Sequence, residues 1–381
     1  MSFEILENDP QFSPRAKICV IGIGGGGGNA VSSMISSGLV GVDFAVVNTD
    51  MQDLDRSLAP TRFQLGRSLT RGLGAGGKPE IGREAAIEDR DSLAELVHDS
   101  DMVFITAGMG GGTGTGAAPI VAQIAKEAGV LTVGVVTRPF LFEGKKRREY
   151  AEKGLEELIN CVDTLITIPN QRLISIADKG TTMVDAFKFA DKVLSQAVRG
   201  ISDLINSTGY MNVDFADVRT IMQNKGQGLM GEGFGSGRRG LIDAIQEAIS
   251  SPLLDEVSIS GAKSILINIT ASENISVKVM DEAVCLVTEE AHEDANVAFG
   301  VVTDEDMGDN VRVTVIATEF EDSQKNNQPS IERRVANSGD RNYTGRSKGS
   351  RGPTPPLTSG LPSIDEGYDR LPPFSFYKSR S

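Results

Sequence analysis

The sequence predicts an α/β protein: a Rossmann-like, mostly parallel sheet joined by a long central helix to a smaller α+β domain, with a disordered C-terminal tail. Three observations carry this. Between Lys17 and Ile168 short aliphatic runs alternate with helical stretches, the pattern of parallel strands covered on both faces. Between Thr182 and Ile205, Phe187, Ala190, Leu194, Val198, Ile201 and Leu204 recur at spacings of three and four, one face of a helix. From Glu321 onward aliphatic residues thin out and Pro, Ser, Asn and Gly take over.

In chain order, strands are expected at Ile18–Ile23, Val42–Asn48, Met102–Ala107, Leu131–Thr137 and Thr164–Ile168, with helices at Ala30–Ser37, Ala118–Ala128 and Lys145–Ile159 between them. Ligands of such sheets bind at the carboxyl ends of the strands. The long helix opens at Thr182, with Asp185 three residues on as a start signal, spans ~35 Å, and stops at Ser207-Thr208-Gly209. Helices at Asp214–Gln223, Leu241–Ser250 and Val277–Ala291 then alternate with strands at Ser264–Thr270, Ala295–Val302 and Val311–Thr318. Val311, Val313 and Val315 alternate with polar residues, so this last strand is expected to be half exposed. The domain boundaries read as an N-terminal extension (1–14), a sheet domain (15–180), a central helix (181–206), an α+β domain (207–320), a linker (321–367) and a terminal peptide (368–381).

The chain has 381 residues and a formal net charge of −14, and 39% of it is hydrophobic, enough for a sizeable core. The charge is uneven: residues 321–381 hold 10 Lys/Arg against 7 Asp/Glu, so the body is acidic and the tail weakly basic. An acidic body does not neutralise a phosphate backbone, so no nucleic acid is expected as a partner. No run of about 18 apolar residues occurs, which excludes a spanning helix. The first residues, with Glu4, Glu7 and Asp9, lack the pattern of a targeting peptide. Cys19, Cys161 and Cys285 lie in apolar stretches and read as reduced core residues of a cytoplasmic protein. His98 and His292 are isolated, and no metal cluster is expected.

The glycines carry the chemistry. Gly22 to Asn29 hold five consecutive glycines between a strand and a helix, and Gly22, Gly24 and Gly27 satisfy the dinucleotide pattern G-x-G-x-x-G. Backbone without Cβ approaches a phosphate closely, and a helix N-terminus offers it free N–H groups. A second loop, Gly108 to Gly116, also follows a strand and opens a helix, with Thr113 and Thr115 adding hydroxyls. Two such loops suit a long polyphosphate better than the single pyrophosphate of a dinucleotide. A third stretch, Gly72 to Pro79, nearly matches the P-loop, but Pro79 stands where a magnesium-binding hydroxyl belongs. It is read as a flexible loop near the terminal phosphate.

Gly110-Gly111-Gly112-Thr113-Gly114-Thr115-Gly116 resembles the glycine-threonine loop of the tubulin/FtsZ family. The first glycine loop, Asn48-Thr49-Asp50, the run Phe140 to Arg147 and Asn212 to Val218 extend the resemblance, toward the bacterial cell-division branch, over residues 15–320. The resemblance implies a GTPase that binds GTP or GDP with Mg2+. It assigns Gly25, Gly26, Gly27, Gly28 and Asn29 to the α- and β-phosphates, with Asn29 in reach of the base or ribose, and Gly112, Thr113 and Gly114 to the β- and γ-phosphates, with Gly110, Gly111 and Thr115 in the same nucleotide set. Glu143 and Arg147, four apart at a helix start, fall at the ribose and phosphate edge, and Asn170 joins the nucleotide set. Asp191 would accept the N1–H and N2 amine of guanine, a donor pair that adenine lacks, with Phe187 stacked on the base. Lys192 stands where the family often has Asn.

The resemblance also places Asp214 and Asp217, assisted by Asn212, in the nucleotide site of the next subunit of a head-to-tail polymer, where they polarise the attacking water. Otherwise these acids simply favour a helix start. Asp369 to Phe374 resembles the family's terminal peptide, so Leu371, Pro372 and Phe374 are expected to bind division-site tethers, although Ser375 and Phe376 depart from the pattern. The expected protein is a cytoplasmic GTPase forming the ring at mid-cell. Two alternatives stay open: an NAD(P)-dependent oxidoreductase, which leaves the second loop idle, and a tubulin-like filament for plasmid segregation or cell shape.

Overall fold

The computed structural model describes residues 15–320, apart from 176, 179, 207–210, 255–258, 273, 274 and the side chain of 238. The N-terminal extension, the helix stop at 207–209, the linker and the terminal peptide with Leu371, Pro372 and Phe374 lie outside the described residues.

Branched aliphatic residues favour the pleated backbone, and Ile18–Ile23 form β1, buried along its whole length. Helix α1 (Gly24–Ser36) follows directly, so the helix takes in the glycines and begins six residues earlier than the apolar pattern announced. Strand β2 (Asp43–Asn48) runs parallel to β1, with Val20 opposite Phe44. Helix α2 (Met51–Arg56), strand β3 (Thr61–Gln64) and helices α3 (Arg67–Thr70), α4 (Pro79–Glu88) and α5 (Arg90–Val97) occupy a stretch that the sequence left unassigned. Most are too short to establish a period. Their starts are chemical: the Asp50 side chain accepts the Gln52 N–H at α2, and Pro79 sits at the first position of α4, where its missing N–H is not needed. Strand β4 (Met102–Gly108), helix α6 (Thr113–Glu127), strand β5 (Leu131–Arg138), helix α7 (Lys145–Leu158), strand β6 (Thr164–Pro169) and helix α8 (Asn170–Ser175) complete the first half. Helix α6 starts five residues ahead of expectation and carries Pro119 inside it.

Helix α9 (Met183–Asn206) leads to α10 (Phe215–Met222), β7 (Gly226–Ser236), α11 (Gly240–Ile249), β8 (Ala262–Ala271), α12 (Val277–Glu290), β9 (Asn296–Thr303) and β10 (Asn310–Phe320). The Thr182 hydroxyl donates to the Asp185 carboxylate at 2.6 Å and accepts the Asp185 N–H at 3.2 Å, the start signal expected for α9. All ten strands form one sheet, in the order β3-β2-β1-β4-β5-β6-β7-β10-β8-β9. The halves meet where β7 pairs in parallel with β6, Thr164 opposite Gly226. Only β10 runs against its neighbours among the described residues.

Two expectations need correction here. Strand β7 was not foreseen, because its glycine-rich run carries no strand signal. Its glycines have a packing reason: a Cβ on Gly231, Gly233 or Gly235 would stand within 2.0 Å of a backbone carbonyl of Ala248, Ala244 or Gly240. The stripe lets α11 lie directly on the sheet. Strand β10 is not half exposed: Val313 to Thr318 are all buried, since the strand lies between β7 and β8 with helices over it. The Gly200 backbone of α9 closes on Thr314.

One core binds the halves together. Leu194, Val198 and Ile201 of α9 pack in the same cluster as Ile166 of β6, Met230 of β7, Leu266 of β8 and Ile316 of β10. Each such side chain contributes ~1.5–3 kcal/mol on burial. The opposite face of the first half of the sheet is covered by α4 to α7, and a third cluster fills the second half. Of the predicted α9 stripe, Phe187 alone leaves the core, 39% exposed. The cysteines also divide: Cys19 is buried, Cys161 half-buried and Cys285 exposed, all as free thiols, so only Cys19 is the core residue expected. Burial pushes the Cys19 thiol up to about 12.

Candidate functional site

Helices α1 and α6 start side by side at the carboxyl ends of β1 and β4. Their approach depends on Gly24, which takes the left-handed conformation (φ +70) and would bring any Cβ to 2.9 Å from the Gly114 nitrogen. The two N-termini open onto a cleft of about 700 Å3. The unpaired N–H groups and dipoles of two helices make this end of the cleft an anion site.

The cleft collects most of the residues named from the sequence. Gly25, Gly26 and Asn29 of α1 and Gly111, Gly112, Thr113 and Gly114 of the second loop line it. So do Glu143 and Arg147 at the start of α7, Asn170 at the start of α8, and Phe187 and Asp191 on α9. The third loop lines it too, from Leu73 to Gly77. That loop is tied down: Gly74 N–H donates to the Thr49 carbonyl, and Met51 N–H to the Gly72 carbonyl.

Other predicted residues stand behind the lining. Gly27 is buried against the Thr106 carbonyl of β4. Thr115 is buried, and its hydroxyl accepts the Gly110 N–H at 2.8 Å, so this pair shapes the loop from within. Gly28 faces a second cavity of about 240 Å3 that shares Gly25, Asn29, Asn48 and Asp53 with the cleft. Asn212, Asp214 and Asp217 are exposed and line neither space. Asp214 caps α10, its side chain accepting the Ala216 N–H at 3.2 Å. These acids follow the far end of α9, where Asn206 Nδ2 donates to the Gly41 carbonyl before β2. Asp191 and Asn206 are 15 residues apart, ~22 Å along the helix.

The part of the lining on α8 and α9 is built to receive hydrogen-bond donors. Asn170 is 3% exposed, and its Oδ1 accepts no hydrogen bond from the described residues. A buried acceptor left this way costs about 1–3 kcal/mol. Burial raises the Asp191 carboxyl to about 6. Phe187 is set by an aromatic cluster: its ring meets buried Phe140 edge-on at 5.2 Å, and Phe140 stacks on Phe142 at 4.9 Å. Arg147 Nη1 donates to Glu143 at 2.6 Å, and the other Glu143 oxygen accepts the Phe140 N–H at 2.9 Å. This pair stiffens the turn that carries the cluster.

Asn48 and Asp50, which entered the sequence reading only through the resemblance, and Asp53, which did not enter it, also line the cleft. Thr49 lies behind them, its hydroxyl 2.6 Å from that of Thr113, so the two segments are joined beneath the cleft floor. Nothing in the pattern of α2 pointed to Asp53. The arrangement suits a ligand that is anionic at one end and carries a planar, donor-rich group at the other.

Two family descriptions match the chain: "Tubulin/FtsZ family, GTPase domain" over residues 17–178, and "FtsZ family, C-terminal domain" over residues 226–321. An empty FtsZ dimer from M. jannaschii is 43% identical, with a TM-score of 0.77, over 81% of this chain and 90% of that one. A GTPgS-bound CetZ2 protofilament from Haloferax volcanii is 20% identical, with a TM-score of 0.69, over 81% of this chain and 94% of that one, a likeness of fold alone.

Proposed function

Because the chain belongs to the tubulin/FtsZ family of GTPases, we propose that it binds GTP in this cleft, polymerises head-to-tail and hydrolyses the nucleotide at the subunit junction, forming the cytoplasmic ring at a bacterial division site. The single observation that carries the reading is that one cleft gathers two helix N-termini together with Asn170, Asp191 and Phe187 on its lining. The glycine loops hold the phosphates. Asp191 accepts the two donors of guanine, and Phe187 packs on the base.

Hydrolysis needs a positioned water in line with the γ-phosphate. In this reading Asp214 and Asp217 of one subunit, with Asn212, orient that water in the cleft of the next. Their exposure, their distance along α9 from the cleft and the family resemblance support the assignment. A contact between unlike faces does not close on itself, so a filament follows. Mg2+ supplies neutralisation of the phosphate charge when bound. Asp53 stands beside Gly25 and Asp50 beside Gly74, and no group of three metal-ligating side chains occurs among the described residues. That donor set suits an ion held chiefly by phosphate and water. The terminal peptide around Leu371, Pro372 and Phe374 would bring tethers to the filament, each weak contact multiplied along the polymer.

GTPase rate per subunit, measured against protein concentration, tests the reading. It is expected to rise steeply above a threshold, together with sedimentation in GTP but not in GDP. A constant rate from an unassembled chain would overturn it.

A further inference from the structure

Charge on the lining of the cleft runs against the ligand proposed for it. Among the described residues, Asp50, Asp53, Glu143 and Asp191 line it against one guanidinium, Arg147, which is already bonded to Glu143. Asp53 faces the first glycine loop. One of its carboxylate oxygens stands 3.1 Å from the position a Cβ would take on Gly25. Among the described residues its side chain accepts one hydrogen bond, a long one of 3.4 Å from Asn48 Nδ2, and no lysine or arginine pairs with it. An acid in the first turn of α2 favours that helix, but this does not require it to face the start of α1. That the cleft takes a ligand rests on a separate observation, the Asn170 oxygen, buried on the same lining and without a partner among the described residues.

Building on the guanine-nucleotide reading, we propose that Asp53 is a charge-selectivity residue: its carboxylate, facing the phosphate loop at Gly25, makes the cleft take the magnesium complex of the nucleotide in preference to the free anion. A like charge a few ångströms from a phosphate repels it, and water screens the repulsion only in part. A divalent cation on the phosphates removes the repulsion and turns the carboxylate into a favourable neighbour. Asp50 faces the third loop, its Oδ2 3.6 Å from a Cβ built on Gly74, and adds to the same field from another side.

The test is equilibrium binding of a fluorescent GDP to full-length protein, once with Mg2+ and once with excess chelator. The wild type is expected to bind at least about tenfold more weakly in chelator. Asp53→Asn keeps the side-chain shape and should shrink that ratio toward one, mainly by tightening binding in chelator. Asp53→Lys should take it further. Because Asp53 is exposed on a short helix, both variants are expected to fold. Equal wild-type affinities in the two conditions, or a ratio unchanged in both variants, would overturn the proposal while leaving the GTPase reading intact. Failure of the wild type to bind guanine nucleotide in either condition would instead remove the reading beneath it.

Discussion

A carboxyl group that shares its wall with Phe187, Ala190 and Leu194 has little to solvate it, and burial lifts Asp191 to about 6. The donors of a guanine ring favour the charged form, so binding lowers this value and releases a proton near pH 6. Guanine-nucleotide affinity should therefore weaken as pH falls from 7 through 6. In Asp191→Asn, affinity should drop about 10- to 100-fold, the equivalent of losing charge-assisted hydrogen bonds worth about 1.5–3 kcal/mol, and the pH dependence should go with it. Nucleotide titrations at pH 5.5, 6.5 and 7.5 read both effects. A wild-type affinity flat across this range would remove Asp191 from the base pocket.

At the scale of elements, the contact of β7 with α11 is the least forgiving. A methyl group on Gly233 would lie 1.9 Å from the Ala244 carbonyl, where only a backbone shift makes room. Gly233→Ala should lower the unfolding free energy by about 1–3 kcal/mol, read as an earlier midpoint in chemical denaturation. Retained wild-type stability would mean that α11 does not sit on the glycine stripe. Helix α9 works differently: its apolar face is shared by strands of both halves, so the helix that carries Asp191 also cements the sheet.

For the whole molecule, the cleft and the acids of α10 are separate surfaces of one chain, and the proposal unites them only between chains. Asp214→Ala should bind GTP and polymerise yet turn over slowly. Asp191→Asn should bind poorly but keep its acids. Mixed, the two variants should hydrolyse GTP faster than the sum of the separate preparations, since some junctions pair a loaded cleft with an intact acidic face. A strictly additive rate across mixing ratios would refute catalysis in trans.

The sequence by itself determined the alternation of strands and helices, the α9 stripe, the two glycine loops and the family, because these signals are local or periodic. Tertiary structure decided the rest. Whether a glycine faces the cleft, as Gly25 does, or packs on a neighbouring element, as Gly27 and Gly233 do, depends on which backbone comes to lie against it. Strand β7 is held in place by β6 and β10, partners distant in the chain, and by α11 packed on its glycines, and β10 is buried because of where it falls in the sheet order. Asp53 gains meaning only once α2 is folded against the start of α1. Periodicity records what a residue does for its own element, whereas a site is made from what separate elements bring to one place.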